Sequence, residues 1–264
     1  MEKDLKNIFF NESNLLKVPK ITIYFWVAKL LSTAMGEATS DYLVFHTNPY
    51  LAVIACSLIF VGSIWLQMKS NRYYAHYYWF AVIMVSIFGT QIADVIHVVL
   101  GVPYSFSTLF FLITLILTLA AWKSKEKTLS IHSIYTSRRE AFYWATIVIT
   151  FALGTAAGDM TAFTLNLGYF ESGLLFTVMF SIPIIAYFMF DFNEIAAFWI
   201  AYIMTRPLGA SFADWADKPI RFGGLGFGSF TVSLILTLAI LVVILFLIVF
   251  KIDDPNQFLK RARE

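Results

Sequence analysis

Eight long apolar runs alternate with short polar breaks along this chain, at about residues 21–43, 49–68, 76–100, 104–122, 141–166, 172–190, 194–215 and 228–250. Each approaches the roughly 20 residues that carry a helix across a bilayer core. The breaks have turn chemistry: Asn48-Pro49, Asn71, Gly101-Val102-Pro103, Gly168 and Gly173, Asp191 with Asn193, and Gly223-Gly224-Leu225-Gly226. The pattern predicts an all-α polytopic membrane protein with eight transmembrane helices. The seventh run is the least apolar because it holds Arg206, Pro207 and Asp214. Residues 1–20 are polar and lack the apolar core of a secretory signal, so the first helix is expected to be retained.

Inside the odd-numbered runs one pattern, Trp-x9-Gly-x4-Asp, recurs four times without insertion. The copies are Trp26/Gly36/Asp41, Trp79/Gly89/Asp94, Trp144/Gly154/Asp159 and Trp199/Gly209/Asp214, and an aromatic residue precedes each Trp (Phe25, Tyr78, Tyr143, Phe198). A single transmembrane domain over 1–264 is expected. It divides into two-helix repeats at about 17–70, 71–123, 136–190 and 191–250, with a polar loop at 123–139 between its halves. Repeats of even span number keep one orientation, so they relate by an axis along the membrane normal. Trp and Asp, fifteen positions apart, are separated by about 22 Å along a helix and lie within roughly 60° of one direction. Both can face the bundle interior, with all four Asp at one depth.

Composition strengthens this picture. The chain is 59% apolar and 14% charged, against about 45–50% and 25% in ordinary globular domains. A net charge of +2 gives no reason to expect nucleic acid. The single cysteine, Cys56, cannot form an internal disulfide. Orientation follows from the basic residues. Lys3, Lys6, Lys17, Lys20, Lys69, Arg72, Lys123, Lys125, Lys127, Arg138, Arg139, Lys251, Lys260, Arg261 and Arg263 fall on one side, against only Lys218 and Arg221 opposite. By the positive-inside rule both termini are expected in the cytoplasm.

An ionised carboxylate at a helix centre in the membrane costs about 2.5–3.5 kcal/mol on insertion scales, so such residues pair, bind cations or relay protons. The copies differ around their acids. The first has Glu37 four residues before Asp41, two like charges on one helical face, with Lys29 behind them as a candidate partner. The second has Gln91 before Asp94 and His97 after it, and a His so placed is most simply a hydrogen-bonded partner of the Asp. The fourth brings Arg206 and Pro207, and Arg206 is expected to pair internally with Asp214. The candidate cation or proton site is Glu37, Asp41, Gln91, Asp94, His97, Asp159 and Asp214, with Lys29 and Arg206 as charge partners. Glu37, Asp41, Asp94 and Asp159 are the candidate metal ligands. These oxygen donors suit Mn, Mg or Ca, and thiolate is essentially absent. Trp26, Trp79, Trp144 and Trp199 are read as interfacial anchors or as structural residues. Gly36, Gly89, Gly154 and Gly209 are read as sites of close helix packing, or alternatively as breaks that free carbonyls beside the Asp.

From Lys17-Val18-Pro19-Lys20-Ile21-Thr22 through Trp26 to Gly36-Glu37 and Asp41 the chain resembles the opening repeat of a family of bacterial uncharacterised membrane-anchored proteins. That family has four tandem two-helix repeats, each with a characteristic Trp. The resemblance covers about residues 17–250. It implies eight spans and a bacterial cytoplasmic (inner) membrane location, and it implies no function.

The function expected from the residues is transport or channelling of a small inorganic cation, divalent or proton-coupled. The alternative is a sensor or cofactor-binding scaffold in which the acids are structural. An enzyme is not expected, because His-Glu-x-x-His and Gly-x-Ser-x-Gly are absent from the sequence. The expected partners are the lipid bilayer and the cation, with no nucleic acid; an oligomer is compatible with the sequence.

Overall fold

The computed structural model describes residues 15–257. Among these residues the chain forms eight long helices and no strand. They are α1 (Ile23–His46), α2 (Pro49–Lys69), α3 (Ala75–Asp94), α4 (Tyr104–Glu126), α5 (Ser137–Asp159), α6 (Tyr169–Phe190), α7 (Glu194–Asp217) and α8 (Ser229–Phe250). Local chemistry sets their starts. Thr22, Asn48, Thr136 and Asn193 accept a backbone N–H of the first turn of α1, α2, α5 and α7. The entries to α6 and α8 need positive φ, supplied by Gly168 at 81° and Gly228 at 79°. Pro207 does not end α7, which runs on for ten more residues to Asp217. Seven helices are long and apolar enough to cross a membrane. The exception is α1, whose Lys29, Glu37 and Asp41 dilute its apolar run.

The odd helices make the inner layer. In the ring α1–α3–α5–α7 each packs on the next and α7 returns to α1, with no seam between the first two and the last two. Each even helix packs mainly on the inner helix that follows it in sequence: α2 on α3, α4 on α5, α6 on α7, and α8 back on α1. Burial matches this arrangement. Of the most apolar stretch, 61–67% of residues are buried in α3, α5 and α7, against 17–28% in the four even helices.

Two cyclic sets of contacts show why the sequence closes this ring. At one end of the bundle, hereafter the Trp end, each aromatic that precedes a Trp meets the Trp of the next inner helix. Ring centroids lie 5.8 Å apart for Phe25–Trp79, 5.6 Å for Tyr78–Trp144, 6.2 Å for Tyr143–Trp199 and 5.9 Å for Phe198–Trp26. Such tilted pairs add about 0.5–1.5 kcal/mol each beyond area burial. Half-way along, each repeated Gly faces the residue three before the next Gly. Gly36 meets Ser86, Gly89 meets Phe151, Gly154 meets Arg206 and Gly209 meets Thr33, so closely that a Cβ would collide. The glycines are therefore close-packing positions, and all four helices continue through them without a break.

The tryptophans take the structural one of their two expected roles. Trp79, Trp144 and Trp199 are buried in the central aromatic core, Trp26 is half-buried, and all four pack the ring. The reason is geometric: the Trp direction points at the neighbouring inner helix. Around this core the chain ends and loops tie the Trp end shut. Lys17 pairs with Glu140 at 2.6 Å, Lys20 N–H donates to Asp253 O at 2.9 Å, and Leu16 and Asn256 exchange hydrogen bonds of 3.0 and 2.8 Å. Asp253 accepts from the hydroxyl of Tyr73, and burial raises the pKa of both groups.

Candidate cation-binding site

The four motif Asp lie at the other end of the inner ring, the Asp end, and come within electrostatic reach of one another. Asp94 and Asp159 each feel Glu37 and Asp41, Asp94 also feels Asp159, and Asp214 feels Glu37, Asp41 and Asp159. Asp41, Asp94 and Asp159 are half-buried, and Glu37 and Asp214 are buried. The site thus combines two carboxylates enclosed by protein with three that are partly exposed.

The floor of this group is Arg206. It is fully buried and reaches from α7 across the ring axis. Its Nη2 donates to Glu37 Oε2 at 2.5 Å, to Thr155 Oγ1 at 2.7 Å and to Thr90 Oγ1, while Nη1 donates to Thr33 O at 3.4 Å. Glu37, Thr90 and Thr155 occupy the same place in three copies, directly after the Gly. The fourth copy has Ala210 there and supplies the donor from Arg206 instead. One guanidinium therefore satisfies acceptors from three inner helices. These hydrogen bonds offset part of the desolvation that makes buried pairs unfavourable, while Arg206 Nε is left without a partner among the described residues.

Three expected pairings are replaced. Arg206 pairs with Glu37 and not with Asp214, because its position three residues before Gly209 directs it at the ring axis. Lys29 makes no ion pair among the described residues. Its Nζ lies 3.8 Å over the Phe151 ring and 4.3 Å over that of Tyr202, without a hydrogen-bond partner among the described residues. His97 does not pair with Asp94. Its Nδ1 is 3.0 Å from Val102 O, its Nε2 is 3.2 Å from Ser107 Oγ, and it stacks on Tyr104. That role is structural: it ties the end of α3 to the start of α4. Gln91 is buried, with neither side-chain polar atom hydrogen-bonded among the described residues.

The Asp end also contains groups that the repeated pattern does not mark. Lys218, just past α7, pairs with Asp41 and lies 3.5 Å from Asp214 and 3.8 Å from Asp217. Tyr104 and Tyr169, first residues of α4 and α6, lie within electrostatic reach of Asp159 and Asp214. The four-residue step from Asp214 to Lys218 is the one sequence signal that could have found the lysine. The carboxylates of Asp94 and Asp159 have no hydrogen bond or ion pair with any described residue. Each is followed at once by a turn of π-helix, Val95–Val99 and Met160–Thr164, whereas α1 and α7 continue as α-helix past Asp41 and Asp214. Single π turns occur frequently at functional sites.

Residues 77–128, 142–192 and 197–253 match the family model described as Repeat of Unknown Function (DUF347). No curated protein and no solved structure matches the chain.

Proposed function

The chain belongs to the family built of this repeat, and from the geometry of its inner helices we propose that it is a transporter of a small inorganic cation, divalent (Mn, Mg or Ca) or proton-coupled. We read it as non-enzymatic and as spanning a bacterial cytoplasmic membrane eight times, with both termini in the cytoplasm. The excess of Lys and Arg in the loops at the Trp end supports that orientation. The place of α1 in the closed ring supports its crossing the membrane with the other seven helices. The first motif copy, outside the three matched segments, takes part in both contact cycles and is read as the fourth repeat.

The observation that carries the reading is the state of Asp94 and Asp159. Both lie within electrostatic reach of the other acids and of Lys218, yet neither carboxylate has a direct ion pair or hydrogen-bond donor among the described residues. Repulsion within such a group is relieved by a bound cation or by protons. An always-open channel fits poorly, because Arg206 and the aromatic core fill the axis below the acids. Passage requires that plug to shift, as in alternating access. A second reading, a non-transport scaffold or sensor, is favoured by the hydrogen-bonded network of Arg206 itself.

The test is uptake of Mn2+, Mg2+ or Ca2+ and release of protons in proteoliposomes. Asp94→Asn and Asp159→Asn are expected to give folded protein with uptake reduced at least tenfold. Uptake that survives the double substitution, or its absence from the unsubstituted chain, leaves the scaffold reading in place.

A further inference from the structure

The first and fourth inner helices end in a tighter acidic group than the rest of the site. Ligand oxygens of Asp41, Asp214 and Asp217 all lie within 4.8 Å of one another. Asp217 lies outside the repeated pattern, on the last turn of α7, and is 4% exposed. Its Oδ1 accepts no hydrogen bond among the described residues and looks towards the Lys218 ammonium at 3.8 Å. A buried, unsatisfied oxygen aimed into an acidic group is a coordination position waiting for a better partner than an ammonium at that range. The group already holds a cation, since Lys218 Nζ lies among all three carboxylates. Three acids against one ammonium leave a formal charge of −2.

Lys218 is built to leave. Its backbone is fixed, with N–H to Asp214 O at 2.9 Å and its carbonyl accepting from Gly226 N–H at 2.9 Å, while its side chain keeps 22% exposure. The flexible stem can therefore withdraw towards Phe45, whose ring is 5.8 Å from the ammonium, without moving the loop.

We propose that Asp41, Asp214 and Asp217 form a site for a hard divalent cation, and that the Lys218 ammonium and the metal are alternative occupants of it. The donors are all carboxylate oxygens, which suits Mn2+, Mg2+ or Ca2+ rather than a thiophilic ion. A divalent ion would take the place of the ammonium and satisfy Asp217 Oδ1. The proposal rests on the transport reading and gives its cation a first stop at the Asp end.

Mn2+ binding to the purified full-length chain, followed by electron paramagnetic resonance, tests it. Lys218→Met keeps the stem and removes the competitor, so affinity should rise about tenfold, and added Mn2+ should restore the melting temperature lost in the metal-free variant. Asp217→Asn in the native chain should weaken binding at least tenfold. It remains informative if Lys218→Met does not accumulate. A purely structural lysine would give a lower melting temperature with no gain in affinity, and that result overturns the proposal. So does an affinity indifferent to Asp217→Asn. If cation uptake persists and depends on Asp159 while Mn2+ affinity ignores Asp217, the site is wrong and the transport reading stands. If neither uptake nor saturable binding of Mn2+ occurs, both fall.

Discussion

The Trp half and the Asp half of the ring are built on one repeated plan and are opposite in character. At the Trp end Phe25, Tyr78, Tyr143 and Phe198 keep the same kind of residue and each meets the Trp of its neighbour. At the Asp end the acid is kept in every copy but its surroundings are not. Both cations, Arg206 and Lys218, come from the fourth copy, and the π turns come only from the second and third. The difference has a simple physical origin. Identical apolar groups attract one another, so a ring of them can be closed by repetition. Identical charges repel, so a ring of acids holds together only if some copies change or a foreign cation enters.

The largest effect should come from removing the cation that holds the Asp half. Arg206→Met leaves Glu37 buried and unpaired, and breaking such a pair costs about 3–5 kcal/mol. Thermal unfolding of the purified protein should show the loss, and adding Glu37→Gln should recover at least half of it. A cost below about 1 kcal/mol would mean that the Asp half does not depend on the fourth copy's guanidinium.

A smaller effect is expected in the Trp half. Tyr143→Phe removes the 2.5 Å hydrogen bond between the Tyr78 and Tyr143 hydroxyls but leaves the ring packing. Unfolding measurements should give a loss of about 1 kcal/mol. A loss as large as that of Arg206→Met would erase the distinction between the halves.

The smallest effect concerns Asp253, an acid built into the Trp end just after α8. Burial, outweighing the hydrogen bonds from Tyr73 and Trp79, raises the folded-state pKa of Asp253 above its usual 3.8. The folded chain then holds this proton more tightly than the unfolded chain does. Its contribution is most favourable below about pH 4 and is lost as pH rises through the folded value. Asp253→Asn should flatten that part of the decline in melting temperature as pH rises above about 4. An unchanged profile would show that Asp253 adds no charge penalty to the Trp half.

Much of the fold could be read from the sequence because apolar run length and turn chemistry are local properties. The eight runs and the inward-facing odd helices follow from them, even for the run that contains Arg206 and Pro207. The shared depth of the four Asp followed from their equal spacing. Pairing was not legible. Arg206 lies eight residues before Asp214 in sequence, yet finds Glu37 from the other end of the chain, because the contact depends on how α7 docks against α1. Lys218 was counted as a loop charge, since nothing local shows that the end of α7 leans over Asp41. Lys29 was expected near acids on its own helix but points to aromatic rings on α5 and α7.

In the cyclic docking of outer on inner helices, α8 lies on α1, and Leu16 and Asn256 bind each other directly. Biogenesis is therefore a problem of waiting. When the first helix emerges from the ribosome, the cations that pair with Glu37 and Asp41, and the Gly209 face that packs on Thr33, are still more than 150 residues away in the message. In an eight-span protein, α1 would wait for α7 with its acids lacking their cations. The inner ring closes only once α7 has been made, and a chain stopped one repeat early would leave the edge of α1 open.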